Sequence, residues 1–225
     1  IGGPSEERTA DIECVYEYRT SDDKGREDVY STILQVGKRS AKFVDYSTFQ
    51  LDSARTSGAS EDQVEAFRLR EEKKAQYFDY AIFQNEPAGN MTVYGTIISD
   101  RYSYTEDSKA MKWTLADDEK TICGYQCHKA ECEYGGRKWT AWYSQDIPVS
   151  YGPWKLCGLP GLILAAEDSD GANKFEAIIL RNGASAITPV SDKNITTTTR
   201  EKFVKAKNMF ESDPMGNLPP ESISE

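Results

Sequence analysis

Residues 120–145, KTICGYQCHKAECEYGGRKWTAWYSQ, decide the fold. Gly135-Gly136 supplies positive φ at two successive positions, as a two-residue hairpin turn requires. Segments 120–134 and 137–145 are therefore predicted to pair as antiparallel strands. That turn fixes the register, with Cys132 opposite Trp139 and His128 opposite Tyr143. Trp139, Ala141 and Tyr143 alternate with Thr140, Trp142 and Ser144, so both faces carry aromatics. A sheet wetted on one side rarely places Trp on both faces. Core is expected against one face, and a lid, helix or ligand against the other.

The same alternation recurs on either side of this hairpin. Ile12, Cys14, Tyr16 and Tyr18 mark a strand over 11–20, and further strands are predicted at 29–36, 41–46, 91–99, 101–106, 112–115, 162–166, 175–180 and 185–189. Turn signals separate them, among them Ser21-Asp22-Asp23-Lys24-Gly25 and Asp168-Ser169-Asp170-Gly171. Ser60-Glu61-Asp62-Gln63 resembles a capping box, and opens a charged helix over 61–79 carrying Val64, Phe67, Leu69 and Phe78. A short amphipathic helix over 199–209 presents Phe203, Ala206 and Phe210. The expected class is mainly β (α+β), with an antiparallel sheet, one longer helix and a short C-terminal one. Residues 1–10 are expected to be flexible, 11–210 to form a single domain, and 211–225 to be a loosely ordered tail.

Composition bounds the function. The 225 residues hold 27 Lys and Arg against 37 Asp and Glu, a net charge of −10. This excess argues against nucleic acid as a partner, since phosphate binding needs clustered cations. No apolar run reaches the roughly 18 residues of a membrane-spanning helix, so no transmembrane segment is expected. A single histidine, His128, excludes chemistry that needs several imidazoles. No cofactor is expected. Asp168 to Gly171 resembles the start of a calcium loop but lacks the Glu at its twelfth position, where Ile179 stands. The Asn-Xaa-Thr sequences at Asn90 and Asn194 are too common to weigh.

The five cysteines are Cys14, Cys123, Cys127, Cys132 and Cys157. Four of them crowd into 123–157, a density that points to disulfides in an oxidising compartment, with Cys123, Cys127, Cys132 and Cys157 as the candidates. A metal on Cys123, Cys127, His128 and Cys132 and plain buried thiols are the alternatives. Were 120–133 one strand, Cys123 and Cys127 would sit about 13 Å apart on one face. That is too far to bridge, so Cys157 becomes the natural partner of one of the cluster. The start at Ile1-Gly2-Gly3-Pro4 suits a processed mature form or a trimmed chain.

The blocks Ile122-Cys123-Gly124-Tyr125-Gln126-Cys127-His128, Gly136-Arg137-Lys138-Trp139-Thr140-Ala141-Trp142-Tyr143, Asp146-Ile147-Pro148 and Gly152-Pro153-Trp154-Lys155-Leu156-Cys157 run in order into Gly158-Leu159-Pro160-Gly161-Leu162-Ile163. Together they resemble the GLPGLI family, uncharacterised envelope proteins of Gram-negative bacteria. The resemblance implies secretion across the inner membrane, to the periplasm or the outer membrane. It assigns the Gly158–Ile163 segment a structural role and carries no assigned reaction. By weaker analogy, the sheet, aromatic hairpin and Gly-Pro turn are similar to the half-barrel of periplasmic lipoprotein carriers. The expected function is a non-enzymatic envelope module that binds an apolar or lipid-like ligand, or a protein partner, with Tyr125, Trp139, Trp142, Tyr143 and Trp154 around the cavity. An accessory of an outer-membrane complex is the alternative, and a cysteine- or metal-dependent hydrolase the third reading.

Overall fold

A computed structural model of the chain describes residues 8–74, 76–190 and 193–212. The chain opens with strands β1 (Ile12–Ser21), β2 (Glu27–Val36) and β3 (Ala41–Asp45), followed by helices α1 (Tyr46–Thr56) and α2 (Glu61–Glu71). Strands β4 (Tyr80–Gln84), β5 (Asn90–Ile97) and β6 (Asp100–Asp107) complete a first meander. A second meander comprises β7 (Thr114–Ile122), β8 (Tyr125–Tyr134), β9 (Arg137–Ser144), β10 (Leu162–Asp168) and β11 (Asn173–Asn182). A short β12 (Ile195–Thr197) and helix α3 (Arg200–Ser212) follow. All twelve strands join one sheet in the order β12-β6-β5-β4-β3-β2-β1-β11-β10-β9-β8-β7. Every pairing is antiparallel except that of β12 with β6.

This order forces the sheet to curve. In a flat sheet β6 and β7 would lie ten strand spacings, about 48 Å, apart. The link between them, residues 108–113, spans at most about 24 Å when fully extended. The sheet therefore curls into an open half-barrel that brings its two ends together. Glu106 on β6 accordingly meets the Tyr134 hydroxyl on β8 at 3.4 Å.

Curvature gives the sheet an inner and an outer face. Inward lie Cys14, Leu34, Phe43, Ile82 and Val93 from paired strands, all fully buried. Outward, Val15, Ile33, Val44 and Phe83 are covered by Phe49 of α1. Lys42 points the same way, 2% exposed, and is neutralised by Asp52 of α1 at 2.9 Å. Helix α3 packs by driving Phe203 among Tyr80, Tyr102 and Tyr104, with ring centroids 5.4–6.4 Å apart.

The β9–β10 connection, residues 145–161, folds back into the half-barrel as a plug. Leu156 and Leu159 are 0% and 1% exposed. A loop in an apolar interior must satisfy its own backbone, since each orphaned group costs roughly 1–3 kcal/mol. Gln84 on β4, 1% exposed, does this from across the barrel. Its Nε2 donates to the carbonyls of Gly152, Trp154 and Leu156 at 2.8, 2.9 and 3.3 Å, while its Oε1 accepts from Gly152 N–H at 3.3 Å. The plug is also tied to the 108–113 link: Trp113 Nε1 donates to the Cys157 carbonyl at 2.8 Å. It re-enters the sheet where Leu162 N–H meets Ile147 O and Ile163 N–H meets Tyr151 O.

The mainly β expectation and the Gly135-Gly136 hairpin hold, with Cys132 opposite Trp139 and His128 opposite Tyr143. The Ser60–Gln63 capping box is present. Several expectations are corrected. The helix begun there stops at Glu71, because Phe78 N–H is bound by the Asp45 carboxylate at 2.9 Å and its ring packs on Phe43. Segment 120–134 is two strands, not one: Cys123 and Gly124 form a turn, with φ of 51° and 80°. Residues 185–189 form no strand, and Ala186 makes one bridge to Thr9. Of the two ends expected to be loose, residues 1–7 and 213–225 lie outside the described residues, while Ala10 is buried and Ser212 ends α3.

Gly161 shows how tightly the plug re-enters the sheet, since a Cβ there would lie 2.1 Å from the Ser144 carbonyl oxygen. Gly161→Ala is expected to destabilise the protein by about 3 kcal/mol in urea unfolding. Pro160→Ala, at an exposed neighbour, should stay within roughly 0.5 kcal/mol. Equal midpoints for the two variants would contradict the close approach.

Candidate functional site

The plug fills the middle of the half-barrel and leaves an open cleft along one edge. This cleft, of 620 Å³, runs between the β8–β9 hairpin, the plug and the start of α3. Its wall is aromatic. Trp154 of the plug faces Trp139 of β9 at 5.4 Å and Tyr134 of β8 at 5.8 Å. Trp139 leads on to Phe175 at 6.3 Å, and Phe175 stacks on Tyr18 at 4.3 Å with rings 7° from parallel. Trp139 and Phe175 are buried, whereas Tyr18, Tyr134 and Trp154 keep partial exposure toward the cleft.

Charges ring this wall, and Glu106, Lys155, Arg137 and Arg200 among them are paired. Lys155, 5% exposed, sits against Glu106 at 2.5 Å, donates to the Tyr104 hydroxyl at 3.0 Å and lies over the Trp154 ring. Burial pulls its ammonium below the usual lysine range, and the Glu106 carboxylate opposes that shift. Arg200 of α3 reaches the other oxygen of Glu106 at 3.1 Å. At the far end Arg137 binds Asp168 at 2.8 Å. Asp168 also accepts from the Asn173 side chain, whose oxygen receives the Tyr18 hydroxyl at 2.6 Å. Burial holds the Tyr18, Tyr104 and Tyr134 phenols above their ordinary range, so they act as neutral hydrogen-bonding groups. The arrangement is a rigid aromatic wall with a prearranged polar rim.

Of the five aromatics singled out from sequence, only Trp139 and Trp154 meet here. Tyr143 is buried near His128, their rings 6.0 Å apart. Trp142 lies on the opposite face of β9, with the Lys120 ammonium 4.5 Å over its ring. Tyr125 follows the Cys123-Gly124 turn. Sequence reasoning missed Tyr18, Tyr134, Phe175, Glu106 and Arg200. Tyr18 and Phe175 had a usable signal, since both alternate inward on strands that pair with each other. Glu106 and Arg200 had none.

The expected disulfides are absent, and all five cysteines are free thiols. The hairpin turn explains part of this. Cys123 sits in it and donates to Ala177 O at 3.2 Å, while Cys127 points to Tyr125 O. Cys157 is occupied with Ser108 O at 3.9 Å. Among the described residues no three His, Cys, Asp or Glu side chains gather as a metal would require. His128 instead pairs with Glu119 at 3.4 Å. Burial raises the Cys14 thiol to about 12, and Cys127, Cys132 and Cys157 to about 11.

A family model described as a protein of unknown function (Porph_ging) matches residues 135–165, the span from the hairpin turn through the plug into β10. No curated protein matches. Among solved structures, the chain is similar in fold to PNGF-II in two crystal forms. The TM-score is 0.58 in both, at 15% and 16% identity over 88% and 89% of this chain. The chain spans about a third of the length of PNGF-II, 33% and 32% in the two forms. A LolA-superfamily protein from Nitrosomonas europaea matches at 10% identity with a TM-score of 0.32, over 82% of this chain and 89% of that one. That likeness is too slight to bear on function.

Thiol chemistry tests the cysteine geometry. In denaturant without reductant all five should alkylate. In the folded protein Cys123, the exposed one, should react first, and the four buried thiols should lag by orders of magnitude. A count below five before reduction would restore the disulfide reading.

Proposed function

We propose that residues 11–210 act as one non-enzymatic binding module of the cell envelope, and that the aromatic cleft takes an amphipathic ligand. Its apolar body would lie against Trp154, Tyr134 and Tyr18, and its polar end would meet the rim. The observation that carries this reading is the coexistence of a half-exposed aromatic wall with buried charges that are already paired. Lys155, Glu106 and Arg137 are each held by a partner and so serve this reading as fixed polar groups of the rim. Pre-formed apolar walls with a few fixed polar groups are the usual make-up of a small-molecule site. The envelope location rests on the resemblance of the block from Ile122 to Ile163, not on the cysteines, which are free. An accessory role in an envelope assembly is the second reading. It is favoured by edge strand β7, one side of which is unpaired and on which Leu115 is 56% exposed.

The test is a fluorescence titration with a dansylated fatty acid. Saturable energy transfer from tryptophan is expected, and Trp154→Ala should weaken binding about thirtyfold, the usual cost of removing an aromatic anchor. Trp142→Ala, on the other face, should bind as the native protein does. No saturable signal, or equal losses in the two variants, would reject the cleft as the site.

A further inference from the structure

The plug borders a second cleft on its other side, and the charges there are not paired. This cleft, of 680 Å³, lies between the plug, the β2–β3 and β4–β5 turns and the 108–113 link. Among the described residues its charged lining is Lys38, Lys109 and Lys112, from two separate segments. All three are exposed. Among the described residues none of them enters an ion pair, although the chain carries a net charge of −10. The carboxylates nearby in sequence are engaged elsewhere. Asp107 accepts the Lys109 backbone N–H at 2.8 Å. Glu86 is held by Arg8 and by the Ser40 hydroxyl at 3.1 Å. Three like charges bordering one concavity in an acidic protein repel each other, and an anion between them relieves that repulsion.

We propose that this cleft is a binding site for a phosphoryl group carried on an apolar body. The choice of anion follows from the side chains. Among the described residues the lining holds lysines and no arginine, so recognition there rests on point charges and not on a planar fork. Three ammonium groups, each a point charge with rotatable donors, suit a multiply charged tetrahedral anion. The apolar body follows from the floor, where Met111, Val149 and Tyr151 lie beside the lysines. Lys109 and Lys112 sit on the short link that draws the two ends of the sheet together, and Lys38 sits in the β2–β3 turn. The fold itself therefore fixes the backbone positions that carry the three. The site is separate from the aromatic cleft, which lies on the opposite edge of the plug.

Two sources supply such a group, a free organic phosphate and a phospholipid headgroup, and two probes distinguish them. Hexyl phosphate is titrated by calorimetry at low salt, and vesicles of phosphatidylcholine with or without phosphatidic acid are tested by co-sedimentation. Binding of either hexyl phosphate or the phosphatidic acid vesicles, weakening as salt is raised, is expected. Hexyl phosphate binding alone identifies the free ester. Binding to phosphatidic acid vesicles that far exceeds binding to phosphatidylcholine alone identifies the headgroup. Lys38→Gln, Lys109→Gln and Lys112→Gln should each weaken binding about fivefold, and the triple variant about a hundredfold. All three side chains are exposed, so the variants should melt as the native protein does. The proposal is overturned if neither probe binds, or if the triple variant, melting normally, binds as tightly as the native chain.

Discussion

A six-residue link governs this architecture. Residues 108–113 join β6, next to one edge of the sheet, to β7, the strand at the other edge. No extended peptide of that length crosses a flat twelve-stranded sheet. Curling costs little, because twisted strands coil readily. It also creates an interior with more apolar wall than the sheet can pack against itself. Something has to fill that space, and the chain does so with its own β9–β10 connection. The need for a plug follows from the connectivity, and the need for Gln84 follows from the plug. A loop carries polar backbone into an apolar space. One carboxamide, donor and acceptor at once, meets four of those groups from across the barrel.

The plug divides what remains of the interior into two clefts of contrasting chemistry. On the side of Trp154 and Lys155, buried charges lie close to aromatic rings. Burial there is costly unless each charge has a partner, so Glu106 gathers Lys155 and Arg200, and Asp168 takes Arg137. On the side of Ser150 and Gly158 the lysines reach solvent, which tolerates unpaired charge and leaves it available. The buried Lys155 and Asp168 anchor the paired set of one cleft, whereas the lysines of the other are all exposed.

Much of the fold was legible because it depends on local alternation and turn chemistry. Gly135-Gly136 set the register of β8 against β9, and Ser60 to Gln63 set the start of α2. What escaped depends on tertiary context. Helix α1 is rich in Ser, Thr and Asp, and its weak amphipathic signal is supplemented by an Asp45 cap visible only once β3 ends there. Strand β4 was masked because Phe78 continues the spacing of Val64 and Phe67 in the preceding helix, which the Asp45–Phe78 hydrogen bond interrupts. The Cys123-Gly124 turn was missed because a non-glycine residue with positive φ is unusual, and its oversight produced the mistaken cysteine geometry. The aromatic wall was half legible. Trp139 and Trp154 announce themselves by composition, but Tyr18 and Phe175 join them only through the pairing of β1 with β11, distant in sequence.

The most recognisable part of the chain supplies only part of each cleft, and it is recognisable for a steric reason. Within residues 135–165, Gly161 is pressed against the Ser144 carbonyl and Gly152 against Ile163 and the Leu156 carbonyl. Leu159, Leu162 and Ile163 are at most 1% exposed. These positions admit few side chains for steric reasons, and steric constraint is what gives a sequence block a distinctive spelling. Surface lysines such as Lys38 and Lys109 are under no such constraint, and Glu106 is set among ordinary strand residues. On that argument the block specifies the scaffold and contributes Trp139, Trp154 and Lys155 to one cleft border, while Glu106, Arg200 and the three lysines come from outside it.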